Sequence, residues 1–211
     1  MPQAAPDASK YRAQDGLRNG RQKGYKSSAD DMMATARLDY KPGFGLWFAA
    51  AGSYMDGNRD EDINNVASPA VLYTLEARWK HLGWDAGVSW GQCFIDNAEN
   101  YPTTGGTPPA PISPVPDMYQ GFSAFLAYDV LRLVTDSDQQ VYLFARYENI
   151  DMQADVPSGT TANQAHQSQI YQAGITWLIT PNVVVKADYR DYDNEADTAV
   201  DSWNLGLGFA F

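Results

Sequence analysis

Apolar residues alternate with small or polar ones along most of the chain, in segments of about ten residues, the period of a strand and the length a tilted strand needs to cross a bilayer. At the C-terminal end Trp203, Leu205, Leu207, Phe209 and Phe211 share one face, and Asn204, Gly206, Gly208 and Ala210 the other. Before it, Val183, Val185, Ala187 and Tyr189 oppose Lys186, Asp188 and Arg190, and Tyr171, Ala173, Ile175, Trp177 and Ile179 oppose Gln172, Gly174 and Thr176. Val141, Leu143, Ala145 and Tyr147 stand against Arg146 and Glu148; Val71, Tyr73, Leu75, Ala77 and Trp79 stand against Thr74, Glu76, Arg78 and Lys80. Trp84, Ala86, Val88 and Trp90 oppose Asp85, Gly87 and Ser89, and Ala34, Ala36, Leu38 and Tyr40 oppose Thr35, Arg37, Asp39 and Lys41. Two stretches, 44–54 and 121–130, are apolar on both faces but have strand length. The pattern predicts nine antiparallel strands, each beside its sequence neighbour, at 32–41, 44–56, 70–80, 83–95, 118–131, 139–152, 167–179, 182–193 and 202–211, and no helix.

Alternation also fits a soluble sandwich, which covers one face of each sheet with the other. Three features favour an all-β transmembrane up-and-down barrel instead. The apolar faces carry aromatics near their ends, as interfacial girdles do (Tyr40, Tyr54, Trp79, Trp84, Tyr147, Tyr171, Trp177, Tyr189, Trp203, Phe211). The opposite faces hold charges in mid-strand, which suits a water-filled interior. The connections alternate, short at 41–45, 80–83 and 179–182, moderate at 132–140, and long and polar at 55–69, 95–117, 151–168 and 191–201. Barrels in outer membranes keep that rhythm, with short periplasmic turns and longer outer loops.

Composition narrows the chemistry. Lys plus Arg (15) falls below Asp plus Glu (26), and a net charge of −11 gives no basic face for nucleic acid. One cysteine, Cys93, forms no disulfide framework or zinc pattern, and reads as a packed thiol or one at the edge of the interior. The acidic clusters Asp56–Asp62 and Asp191–Asp197 match no calcium-loop spacing and read as solvated outer loops. His81 and His166 fall on opposite sides of the proposed membrane, so they cannot share a hydrolytic site, and no enzyme activity or cofactor is expected.

Counting strands back from residue 211 makes the first, near Met32, run toward the periplasm, whereas single-chain bacterial barrels have an even number. Residues 1–31 alternate little, and the first sixteen show no charged start followed by an apolar stretch. The expectation is that 1–31 is an irregular segment ahead of 32–211, the C-terminal portion of a longer barrel; a complete small barrel with 9–20 as an irregular tenth strand stays open.

The stretches "GRQKGYKSSADDMMATARLDYKPGFGLWFAAAGSY", "AYDVL", "LFARYENIDMQADVPSG", "ITPNVVVKADYRDY" and "LGLGFAF" resemble the C-terminal half of the phosphate-selective porin O and P type family of Gram-negative outer-membrane porins. The resemblance covers about residues 16–211. It implies a barrel of about sixteen or more strands, usually a homotrimer, passing anions or other small solutes. The ending, with Leu205, Leu207, Phe209 and Phe211 alternating to the terminus, resembles the signal read by the barrel-assembly machinery.

The candidate pore-lining residues are the basic Arg37, Lys41, Arg78, Lys80, Arg146, Lys186 and Arg190 with the acidic Asp39, Glu76, Asp85, Glu148 and Asp188. Basic rings favour anions and acidic rings cations, and the slight basic excess leans anionic. Alternatively, neighbouring opposite charges pair and stiffen the wall. Arg18, Arg21, Lys23 and Lys26 either fold inward or meet lipopolysaccharide phosphates. Gly87, Ser89, Gly174, Thr176, Gly206 and Gly208 leave room inside, favouring a diffusion channel over a non-conducting barrel with a structural or adhesive role.

Overall fold

The computed structural model describes residues 3–4, 12–13, 32–56, 68–100, 104–105, 110–111 and 114–210. The basic stretch Arg18 to Lys26, the acidic residues Asp60 to Asp62 and Phe211 lie outside the described residues, as does most of 9–20. Among the described residues nine strands of eight or more residues form one all-β sheet: β1 (Met32–Gly43), β2 (Leu46–Met55), β3 (Ala70–His81), β4 (Trp84–Ile95), β5 (Met118–Asp129), β6 (Gln140–Asp155), β7 (Gln167–Thr180), β8 (Val183–Asn194) and β9 (Ser202–Phe209). Each pairs antiparallel with its sequence neighbour, an up-and-down meander, and among the described residues the only helices are short 3₁₀ turns. Among the described residues none is long and apolar enough to cross a membrane. The sheet is open. Among the described residues, on one edge β1 meets only the two-residue strand Gln3–Ala4, and on the other β9 pairs only with β8.

All nine expected strands are present, with ends displaced by at most three residues. Where the pattern ran β5 on to residue 131, the strand stops at Asp129, whose carboxylate accepts from the Val141 amide (3.0 Å) while Val130–Leu133 turns as a 3₁₀ helix. Two of the short connections are two-residue hairpins with both residues at positive φ, Phe44–Gly45 (53° and 76°) and Leu82–Gly83 (49° and 88°). Their twist matches that of the flanking strands. Gly45 is required twice over, because a Cβ there would fall 1.8 Å from the Lys80 carbonyl oxygen.

Burial is inverted relative to a soluble sheet. Leu38, Leu75, Leu126, Leu143, Ile175, Leu205 and Leu207 are exposed, whereas Asp85, Asp129, Gln172 and Asp188 on the other face are buried. Contacts across the polar face show that it is the concave one. The Lys80 ammonium of β3 lies 5.6 Å from the ring centre of Tyr142 on β6. Three strand spacings separate these strands, about 14 Å in a flat sheet. Arg37 of β1 likewise reaches Glu76 of β3 at 3.1 Å.

On the convex face an aliphatic zone lies between two sets of aromatics. Trp84 and Tyr128 (ring centres 4.6 Å apart) stand at the short-turn end; Tyr147 with Tyr171 (5.1 Å) and Tyr189 with Trp203 (4.8 Å) stand toward the long-loop end. The apolar cluster of the sheet is small and sits on the concave face at the long-loop end. There Met55, Ala70, Cys93, Ile95 and Tyr119 are covered by Ala98 and Val115 from the 96–117 connection. Cys93 is buried in this cluster as a free thiol.

Candidate functional site

The pairing register places the charged residues in rows across the concave face. Arg78 stands beside Gly87, Gly87 beside Phe125, Phe125 beside Arg146, Arg146 beside Gln172 and Gln172 beside Arg190. The adjoining row runs Lys80, Asp85, Ala127, Phe144, Gly174 and Asp188. Because residues two apart on a strand share a face, each row reinforces the next, and three arginines form a belt over β3 to β8. All twelve candidate residues lie on strands that contribute to this face. Lys41 stands apart, exposed at the turn end of β1 beyond the register shift that follows Tyr40.

The basic residues are largely paired. Arg78 grips Asp85 through Nε (2.8 Å) and Nη2 (2.5 Å), and Lys80 approaches the same carboxylate at 3.9 Å. Arg37 bridges Asp39 and Glu76, each at 3.1 Å, and Arg146 pairs with Glu148 two residues along its own strand. Asp188 collects Lys186 (3.6 Å), Arg190 (3.8 Å) and the Gln172 side-chain amide. At Asp85 and Asp188 the pairing is asymmetric in depth, whereas Arg37 and Asp39 are about equally exposed. The carboxylates of Asp188 (3% exposed) and Asp85 (10%) are sunk against the sheet, while Lys186 (43%) and Lys80 (56%) project beyond them. At these two pairs the cationic ends stand outermost.

Aromatic residues on this face were not singled out by the period-two reading, which assigns large apolar side chains to the opposite face. Trp47, Phe125, Tyr142 and Phe144 all point inward, each beneath a cation: Arg37 over Trp47 (5.3 Å), Arg78 over Phe125 (5.7 Å), Lys80 over Tyr142 (5.6 Å) and Lys186 over Phe144 (4.7 Å). A cation over a ring face is attracted by the ring quadrupole. The signal was present in the stretches that are apolar on both faces, 44–54 and 121–130, which contain Trp47 and Phe125.

Two glycines expected to leave interior space have other work. A Cβ on Gly87 would come within 2.5 Å of the Phe125 ring, so the glycine is the seat on which that ring lies; on Gly174 it would meet the Ala187 carbonyl oxygen at 2.4 Å and Asp188 at 2.7 Å. Gly206, by contrast, faces open space. His81 ends β3 at the short-turn end and His166 lies in the connection before β7, where burial lowers its pKa. No cluster of three or more His, Cys, Asp or Glu suited to a metal ion occurs among the described residues.

No protein-family model matches the chain. It is similar to an uncharacterized protein of Aquifex aeolicus (strain VF5), 29% identical over 195 residues, which span 90% of this chain and 44% of that protein. The chain thus spans less than half the length of this relative.

Proposed function

We propose that this chain is part of the wall of an outer-membrane porin. The convex face meets outer-membrane lipid, and the concave face lines a water-filled channel through which small solutes diffuse passively, with a lean toward anions. The observation that carries this reading is the inverted burial, apolar side chains standing exposed between two sets of aromatics while charges cover the inside of the curve. A soluble protein would have to cover that apolar surface; a bilayer covers it at no cost. Unpaired edges are costly in lipid, so the reading requires the free edges of β1 and β9 to be paired in the membrane, as in the barrel of about sixteen or more strands that the porin resemblance implies. In that arrangement the assembled form is a homotrimer. Leu205, Leu207 and Phe209, exposed on the last strand, present the alternating pattern read by the barrel-assembly machinery, and the long loops face lipopolysaccharide.

The anionic lean follows from the depth of the ion pairs. Carboxylates lying behind cations leave the solute path lined by positive ends, and such linings favour anions. The test is the reversal potential of the full-length protein in a planar bilayer under a potassium chloride gradient. The expected sign is that of anion preference, and Arg146→Glu with Lys186→Glu should move it toward cations while assembly persists. An unchanged potential in the double variant removes these residues from selectivity. A correctly inserted barrel that passes no current would favour the non-conducting, structural or adhesive role.

A further inference from the structure

On the short-turn half of the concave face lies a cavity of about 370 Å³ whose lining includes Lys80, Arg146, Lys186, Phe125, Tyr142 and Phe144. Its volume falls within the range of small-ligand sites. The charged groups on its wall are three cations and one carboxylate, Asp85. The acids that pair with Arg146 and Lys186, Glu148 and Asp188, lie outside the lining. The cavity therefore holds a surplus of positive charge. It also holds three rings, Tyr142 being the most buried, in a wall where water-filled space calls only for polar groups. An inorganic anion would use the cations and leave these rings wet. An aliphatic solute without charge would make no use of the exposed ends of Lys80, Arg146 and Lys186, which project beyond their carboxylate partners.

We propose that this cavity is a binding subsite for a small organic anion with a flat apolar body, an aromatic carboxylate. The carboxylate would pair with the Lys80, Arg146 and Lys186 side chains, and the ring would pack among Phe125, Tyr142 and Phe144. Aromatic pairs prefer offset or edge-to-face packing, which rings contributed by neighbouring strands β5 and β6 can offer. Gly87 is part of the same device, since only a residue without a side chain lets Phe125 lie across β4 beneath Arg78. The site rests on the channel reading for its access to solute, but its occupancy is measurable without any current.

The experiment is ligand-observed NMR on the full-length protein in detergent, titrated separately with benzoate, acetate and inorganic phosphate. Benzoate should bind saturably and at least about tenfold more tightly than either small anion, a gap of about 1.4 kcal/mol. Phe144→Ser and Lys186→Met should each abolish the gap while the heat-modifiable band is retained. Should Phe144→Ser fail to assemble, Phe125→Ser tests the same ring cluster. Benzoate binding no tighter than acetate, or a gap that survives both the ring and the lysine substitutions, overturns the proposal. Saturable benzoate binding by a protein that passes no current supports the subsite and removes the channel reading. Current without benzoate preference does the reverse.

Discussion

At the scale of single residues, glycines separate into seats and spaces. Gly174 is enclosed by the Ala187 carbonyl oxygen and Asp188, whereas nothing lies within 4 Å of a Cβ on Gly206. Gly174→Val should therefore destabilise by about 1–3 kcal/mol through overpacking and deplete the heat-modifiable form on gels. Gly206→Ala should stay within about 0.5 kcal/mol of the parent. Leu82 is strained in the other sense. It holds a φ of 49° in a hairpin whose two residues are both left-handed, a conformation that costs an L-residue about 1–2 kcal/mol and that asparagine tolerates. Leu82→Asn is expected to raise the temperature at which the heat-modifiable band is lost. A fall would show that the exposed leucine makes a contact worth more than the strain. Neither effect was legible in the sequence, because glycine and leucine read alike in a period-two pattern whether they face open space, a ring or a turn.

At the scale of elements, strands were legible and their partners were not. Alternation fixes which residues share a face, and seven of the nine strands follow it, β2 and β5 being apolar on both faces. Which acid meets which base depends on register, and register is set by turn geometry, not by the pattern. Lys80 meets Asp85 because Leu82–Gly83 is a two-residue hairpin, which brings the residues beside it into opposition. The inward rings of Tyr142 and Phe144 escaped notice for a related reason, since each carries apolar bulk on a face that alternation marks as wet.

The long connections add a pH dependence. Asp117, at the threshold of β5, has its pKa raised, first by burial and then by Asp155, Glu99 and Asp96. A carboxylate with a raised folded-state pKa binds its proton more tightly in the folded form. Stability therefore falls as pH rises from the ordinary carboxylate value through the raised one, and the loss is complete once pH lies above the raised value. Asp117→Asn should flatten this dependence and protect the start of β5 at neutral pH, as read by amide hydrogen exchange. Equal exchange in parent and variant across that window would remove Asp117 as its source.

At the scale of the whole molecule the account depends on one division, lipid outside the curve and water inside it. A basic residue placed on the convex face tests the energetic side of that claim: Leu205→Arg should cost about 2–4 kcal/mol near the bilayer midplane and block assembly, whereas Thr176→Arg on the concave face should be tolerated. The most direct measurement is spin-label accessibility in the full-length protein reconstituted in lipid. With Cys93 replaced by serine, single cysteines are introduced at Ser123 and Thr176 on the concave face and at Ile175 and Leu205 on the convex face. The account predicts that labels at Ser123 and Thr176 collide with a water-soluble nickel complex and that those at Ile175 and Leu205 collide with oxygen dissolved in the bilayer. The same aqueous accessibility at neighbouring positions 175 and 176 would contradict it.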